Sequence, residues 1–145
     1  MNTQSHLNFM KQAFEESKKA LPICLPNPPV GCVLVQDGKI IASGYTQAPG
    51  HHHAEASALQ SLQGSLSDVT AYVTLEPCSF IGRTPSCANT IIERGIKTVF
   101  VAIKDPDPRN NGKGIKMLHD SGVNVLTGLL ADSVLEFLTP YLNNN

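Results

Sequence analysis

Leu7, Met10, Phe14 and Leu21 recur at helical intervals with polar residues between them. With Ser5 as N-cap, the pattern predicts an amphipathic helix over residues 5–20, ended by the turn-rich LPICLPNPP. VGCVLV and IIASGY then flank Gln-Asp-Gly-Lys, the pattern of a β-hairpin closed by an Asp-Gly turn. A helix from about His53 to Leu62 follows, then the strand TAYVTL, then a helix after Thr84-Pro85 that carries Ile91 and Ile92. TVFVAI is apolar throughout, as expected of a strand covered on both faces. A helix near 112–120, the strand VNVLTG and a last helix from about Asp132 to Leu138 complete the pattern, with the residues past Pro140 read as a frayed end.

One hairpin followed by strand–helix–strand units implies a mostly parallel five-stranded sheet with helices on both faces, a three-layer α/β/α architecture. No internal repeat, low-complexity tract or interdomain linker interrupts it, and 145 residues suit one domain. The net charge of −1 gives no reason to expect a nucleic-acid or membrane partner. Basic residues are uneven, however: seven of the eleven Lys and Arg lie between Arg83 and Lys116, against Glu93, Asp105 and Asp107. Such a segment suits a small anionic substrate, and equally suits solvated helix faces. MNTQSHLNFM lacks the cationic and apolar segments of a secretory signal, and no apolar run approaches bilayer length, so a cytoplasmic protein is expected. Reduced there, Cys24, Cys32, Cys78 and Cys87 are more available for metal or catalytic use than for disulfides.

The residues with chemistry are His53-Ala54-Glu55, inside PGHHHAEA, and Glu76-Pro77-Cys78, with eight residues separating Cys78 from Cys87. One imidazole and two thiolates suit zinc, and three protein ligands leave the fourth position open, as a catalytic site requires. Two thiolates cancel the ion's charge, so its water is acidified less than it would be by three histidines, and Glu55 is well placed as the base that shares the proton. His53 and Glu55 are expected at the start of one helix, Cys78 just past the TAYVTL strand, and Cys87 in the first turn of the next helix, where a thiolate is favoured. His51 and His52 read as exposed loop residues, and Cys24 and Cys32 as small buried hydrophobes. His119, near a helix C-terminus, reads as a favourable charge–dipole residue.

The order H-x-E…P-C…C is the signature of zinc deaminases, in which the glutamate is the acid/base and not a ligand. Over most of its length the sequence resembles the deaminase domain of the bifunctional riboflavin-biosynthesis deaminase/reductase. The resemblance is carried by Pro26-Asn27-Pro28 with Val30-Gly31, by HAEASAL, by TLEPCSFIGRTPSC with its long gap between cysteines, and by DPDP. It implies a cytidine-deaminase-like fold, zinc, and hydrolytic removal of an amino group from a phosphoribosylated diaminopyrimidine. It matches His53, Cys78 and Cys87 to the zinc ligands, Glu55 to the proton shuttle, and Asn27, Arg83 and Asp105 to positions associated with substrate. Family members commonly associate, which leaves a homo-oligomer open, although no motif here marks an interface. The bifunctional protein continues into a reductase, whereas this sequence stops at Asn145 with nothing resembling a nicotinamide-binding unit. Residues 1–145 are therefore expected to be a single zinc-dependent deaminase domain, stand-alone or excised.

Three positions depart from the family pattern, and all are expected to border the substrate. Thr46 and Phe80 stand where the family has histidine, and Asp107 where it has the asparagine of Asp-Pro-Asn-Pro. An aspartate near a phosphate is unfavourable unless Arg83 or another cation neutralises it, and phenylalanine trades hydrogen bonds for an apolar or stacking surface. Read without the resemblance, Asn27 and Asp105-Pro-Asp-Pro are equally ordinary turn residues, and Arg83 and Thr84 equally caps of the next helix. The leading substrate is the diaminopyrimidine ribonucleotide. Another aminated heterocycle, base or nucleoside comes next, followed by a nucleic-acid editing deaminase and by a protein whose zinc is purely structural.

Overall fold

The structure is a computed structural model that describes residues 2–80 and 86–142. Helix α1 (Thr3–Lys18) precedes the hairpin β1 (Gly31–Gln36) and β2 (Lys39–Tyr45). Then come α2 (Ala54–Leu59), β3 (Thr70–Leu75), α3 (Cys87–Glu93), β4 (Thr98–Ile103), α4 (Lys113–Asp120), β5 (Asn124–Thr127) and α5 (Ala131–Leu142). The five strands lie in the order β2-β1-β3-β4-β5. Pairing is antiparallel between β1 and its neighbours β2 and β3, and parallel from β3 to β4 and from β4 to β5. Four strands therefore point one way and β1 alone runs against them, which makes the sheet mixed.

The hairpin turn is the one the sequence predicts. Asp37 (φ 52°) and Gly38 (φ 76°) both take left-handed backbone, the requirement of the tight turn whose twist matches that of the strands. Two boundaries differ from expectation. The N-cap of α1 is Asn2, whose side chain accepts from the Ser5 amide, so the helix starts before Ser5. At the other end, α5 runs through Pro140 to Leu142 instead of fraying there. The carbonyl that Pro140 leaves without its helical donor belongs to Glu136, which is exposed and open to water.

Each face of the sheet has its own core. Cys32, Leu34, Val73, Val99 and Val101 pack under α2, α3 and α4, from which Ala58, Ile91 and Leu118 descend. On the opposite face Val33, Tyr72 and Phe100 pack against Met10 and Ala13 of α1 and Val134 and Leu138 of α5. Tyr72 is fully buried there, stacked on Phe100 with ring centroids 4.9 Å apart, and its hydroxyl meets Nδ1 of His6 at 2.6 Å. Cys24 and Cys32 are fully buried, and all four cysteines are free thiols. Among the described residues no helix is long and apolar enough to cross a membrane.

Candidate active site

Where β3 and β4 end and α2 and α3 begin, His53, Cys78 and Cys87 come together. His53 is the N-cap of α2, with extended backbone (φ −73°, ψ 173°) and no capping bond from its ring, so the imidazole turns toward the cysteines. Its Nδ1 lies 3.4 Å from Cys87 Sγ and 3.8 Å from Cys78 Sγ, and the three donor atoms fall within 4.8 Å of one another. Ligand bonds of about 2.0–2.3 Å around a tetrahedral ion imply donor separations of roughly 3.5 Å, so the group has the spacing of a zinc site as well as its donor chemistry.

Cys78 is held by backbone on both sides. Its carbonyl accepts from the Ala88 amide (3.0 Å) and the Ser86 hydroxyl (2.8 Å), while its sulfur accepts from the Cys87 amide (3.3 Å). Ser86 is also the N-cap of α3, accepting from the Asn89 amide, so one side chain starts the helix and fixes the cysteine loop. Asn110, fully buried, reaches the same loop from the turn before α4. Its Nδ2 donates to Pro77 O and its Oδ1 accepts from the Ser79 amide, bracketing Cys78. Gly114 lets α4 approach this closely, because a Cβ there would lie 1.8 Å from Pro77 O. Glu76, also buried, accepts from three backbone amides: Asp105 and Gly112 at 3.0 Å and Ile115 at 2.9 Å. It thereby joins the end of β3 to the loop after β4 and to the first turn of α4.

The electrostatics follow from crowding in a partly buried corner. The Cys87 side chain, then the His53 ring and the Cys87 amide, draw the Cys78 thiol down to about 4 against the opposing effect of burial. Cys87 moves well above the usual thiol range because it hydrogen-bonds to the Cys78 sulfur and is itself buried. His53 is raised, chiefly by its hydrogen bond to Cys78. Glu55, only 4% exposed, is pushed up to about 7 by burial and secondarily by the negative charge of Cys78.

A cavity of about 640 Å³ opens over the group, within the range of small-molecule sites. All the described residues that the sequence nominates line it, except Cys87, which lies beneath. Asn27 enters from the loop before β1, where its amide donates to Cys24 O. The Thr46 hydroxyl is committed to the backbone, accepting from the Val30 amide at 3.0 Å. Asp105 accepts from the Asp107 amide through Oδ1 and lies 3.5 Å from Asn110 Nδ2, and burial raises its carboxyl above the ordinary value of 3.8. Phe80 lies under the Arg109 guanidinium, and Asp107 pairs with that same guanidinium. Arg83 lies outside the described residues. His51 borders the cavity but is exposed, as are His52 and His119. The sequence marks Glu76 as the first residue of Glu-Pro-Cys but not its bracing role, and it marks neither Arg109 nor Asn110: Arg109 stands two residues after an aspartate in a proline turn, and Asn110 leaves no signal of its kind.

A mixed sheet carrying a His/Cys/Cys group beside a buried glutamate is the arrangement of a zinc-binding deaminase, and comparison with known proteins agrees. The family model described as the cytidine and deoxycytidylate deaminase zinc-binding region matches residues 3–103, a span that includes His53, Glu55, Cys78 and Cys87. The chain belongs to this deaminase family, whose chemistry is hydrolysis of a C–N bond on a heterocycle. It is 46% identical over 130 residues to the riboflavin biosynthesis protein RibD of Actinobacillus pleuropneumoniae, covering 90% of this chain and 35% of that protein. It is 42% identical over 123 residues to the diaminohydroxyphosphoribosylamino-pyrimidine deaminase of Buchnera aphidicola subsp. Schizaphis graminum, covering 85% of this chain and 84% of that one. Among solved structures, Acinetobacter baumannii RibD matches with a TM-score of 0.89 at 39% identity, over 97% of this chain and 40% of that one. The chain thus spans little more than a third of the RibD proteins it matches.

Proposed function

We propose that this chain is a zinc-dependent hydrolytic deaminase, acting as a single domain over residues 1–145, that removes an exocyclic amino group from a phosphoribosylated diaminopyrimidine. That substrate class is the one named for the Buchnera relative. The observation that carries the reading is the grouping of His53, Cys78 and Cys87 within 4.8 Å, with buried Glu55 in the wall of the cavity above it. One imidazole and two thiolates would hold the ion and leave a fourth position for water. When bound there, zinc supplies the Lewis acidity that makes water nucleophilic at neutral pH.

Glu55 takes a proton from the attacking water on its carboxylate and passes it to the ring nitrogen; it then carries the proton of the new carbon-bound hydroxyl to the amine, which leaves as ammonia as the carbonyl forms. Its burial keeps bulk water from competing for that proton. Asn27 and Arg83 hold the sugar or phosphate end, while Thr46, Phe80, Asp105 and Asp107 border the substrate. The partner is a small heterocycle in the cytoplasm rather than a nucleic acid or a membrane. The net charge of −1 gives no pull toward nucleic acid, and among the described residues no helix is long and apolar enough to cross a membrane.

The test is ammonia release by the zinc-loaded protein from the diaminopyrimidine ribonucleotide, set beside free bases, nucleosides and pterins. A kcat/KM at least about tenfold higher for the ribonucleotide is expected. Turnover of another compound with none of the ribonucleotide moves the function to the second reading, the same chemistry on another aminated heterocycle. That reading is favoured by the Phe80 ring and the Asp107 carboxylate at the cavity, where the family resemblance has histidine and asparagine.

A further inference from the structure

Phe80 and Asp107 meet at one side chain, Arg109. The Asp107 carboxylate takes the guanidinium edge-on, with Nη2 at 2.7 Å from Oδ2 and Nε at 3.2 Å from both oxygens, and it also accepts the Arg109 amide at 2.9 Å. The guanidinium carbon lies 4.7 Å from the centre of the Phe80 ring, in cation–π contact. All three residues line the cavity that His53 and Cys78 border.

We propose that Arg109, held in place by Asp107 and Phe80, binds the phosphate monoester of the substrate at the mouth of this cavity. The proposal deepens, and rests on, the reading of the chain as a deaminase of a phosphoribosylated heterocycle.

The charge at the cavity calls for such a group. Among the described residues that line it, Glu55, Glu76, Asp105 and Asp107 are acidic and Arg109 is the one permanent cation. A phosphate dianion approaching the two aspartates alone would be repelled. With Arg109 in place, the Asp107 charge is spent on the guanidinium, which holds the Asp107 carboxyl below its ordinary value. Asp107 thereby becomes a bracket for a cation.

Arg109 also has donors to spare. Asp107 engages Nε and Nη2, and among the described residues no acceptor meets Nη1. The side chain is 70% exposed, open to a ligand entering from solvent. A planar fork of this kind matches phosphate oxygens two at a time. Fixing a long arginine on a ligand normally costs rotamer freedom, and here the ion pair and the ring beneath have already restricted it. The same contacts explain why an aspartate and a phenylalanine belong together at this cavity: each holds a different side of one guanidinium.

The test separates this proposal from the reading it rests on. The zinc-loaded protein, R109A and R109K are titrated with ribose 5-phosphate and with ribose, and binding is followed by amide NMR shifts. Saturable binding of ribose 5-phosphate by the wild type, weakened about fivefold or more in R109A and partly restored in R109K, is the expected result. Ribose is expected to show no dependence on Arg109. Failure of ribose 5-phosphate to saturate the wild type, or binding to R109A within about twofold of wild type, overturns the proposal. With the diaminopyrimidine ribonucleotide, R109A should raise KM about tenfold and leave kcat within about twofold. An unchanged KM on a substrate that is turned over defeats the phosphate role and spares the deaminase reading. Arg109-dependent binding of ribose 5-phosphate without turnover of the ribonucleotide does the reverse.

Discussion

At the floor of the cavity the backbone does the holding: Cys78 is fixed by the amides of Cys87 and Ala88, and the peptide groups on either side of it by Asn110. At the rim, Phe80, Asp107 and Arg109 hold one another through side chains that solvent reaches. The floor runs from half-buried His53 and Cys78 to buried Cys87, Glu55 and Asn110, and its buried polar groups are satisfied: among the described residues no buried side-chain polar atom lacks a partner. Groups fixed in this way can hold a metal and a proton carrier to within a fraction of an ångström, which bond-making requires. Side chains propped against one another at a surface can be exchanged without disturbing that geometry, which is what a change of substrate requires. The two regions should therefore respond differently to substitution, in kind as well as in size.

The largest effect should come from Glu55→Gln. Loss of the proton carrier should lower kcat for deamination by about 10³-fold, with zinc content and circular dichroism unchanged. If activity survives in this variant, the floor is not a catalytic centre. Next in size is the scaffold. Glu76→Ala leaves three buried backbone amides without an acceptor and should cost ~3 kcal/mol or more in denaturant unfolding, with Glu76→Gln losing about half as much. Asn110→Ala should cost ~2 kcal/mol and speed zinc loss to a chelator, because Pro77 and Ser79 flank Cys78. At the rim, by contrast, Arg109→Ala should change stability by no more than ~0.5 kcal/mol, since its ion pair is exposed.

The smallest prediction concerns the two aspartates, which lie two residues apart and are shifted in opposite directions. Burial raises Asp105 above 3.8, so its favourable effect on folding is present at acid pH and is lost as pH rises through its folded value. Arg109 lowers Asp107, so its contribution is present above the ordinary value of 3.8 and is lost as pH falls through the depressed one. Carboxyl NMR titration should place Asp105 above Asp107, and R109A should move Asp107 upward. If the two titrate together in the wild type, the rim is not organised around Arg109.

What the sequence could reveal divides along the same line. His53, Glu55, Cys78 and Cys87 are legible because each belongs to a short local motif at a predictable place, a helix start or a strand end. The strands are legible from apolar runs and the hairpin from Asp-Gly, which sets β1 against β2, but nothing local reveals that β1 sits between β2 and β3 and pairs antiparallel with β3 as well, since strand order is a tertiary property. The roles of Glu76, Asn110 and Arg109 are hidden for a related reason. The bonds of Glu76 reach 29 to 39 residues along the chain, and those of Asn110 to the Cys78 loop 31 to 33. From sequence Asp107 is a charge facing a ligand, because its partner, though two residues away, is recognisable only once the loop is folded. The N-cap of α1 was misplaced because Asn2 and Ser5 are both good caps, and the structure uses the first.

Of the three histidines in PGHHHAEA only His53 falls beside Cys78 and Cys87 with the spacing of a metal centre. Zinc content per chain, measured by mass spectrometry on the purified wild type, on H53A and on the double variant H51A/H52A, tests it most directly. About one zinc per chain is predicted in the wild type and in the double variant, and essentially none in folded H53A. Zinc retained by H53A, or lost from the double variant, would contradict the account.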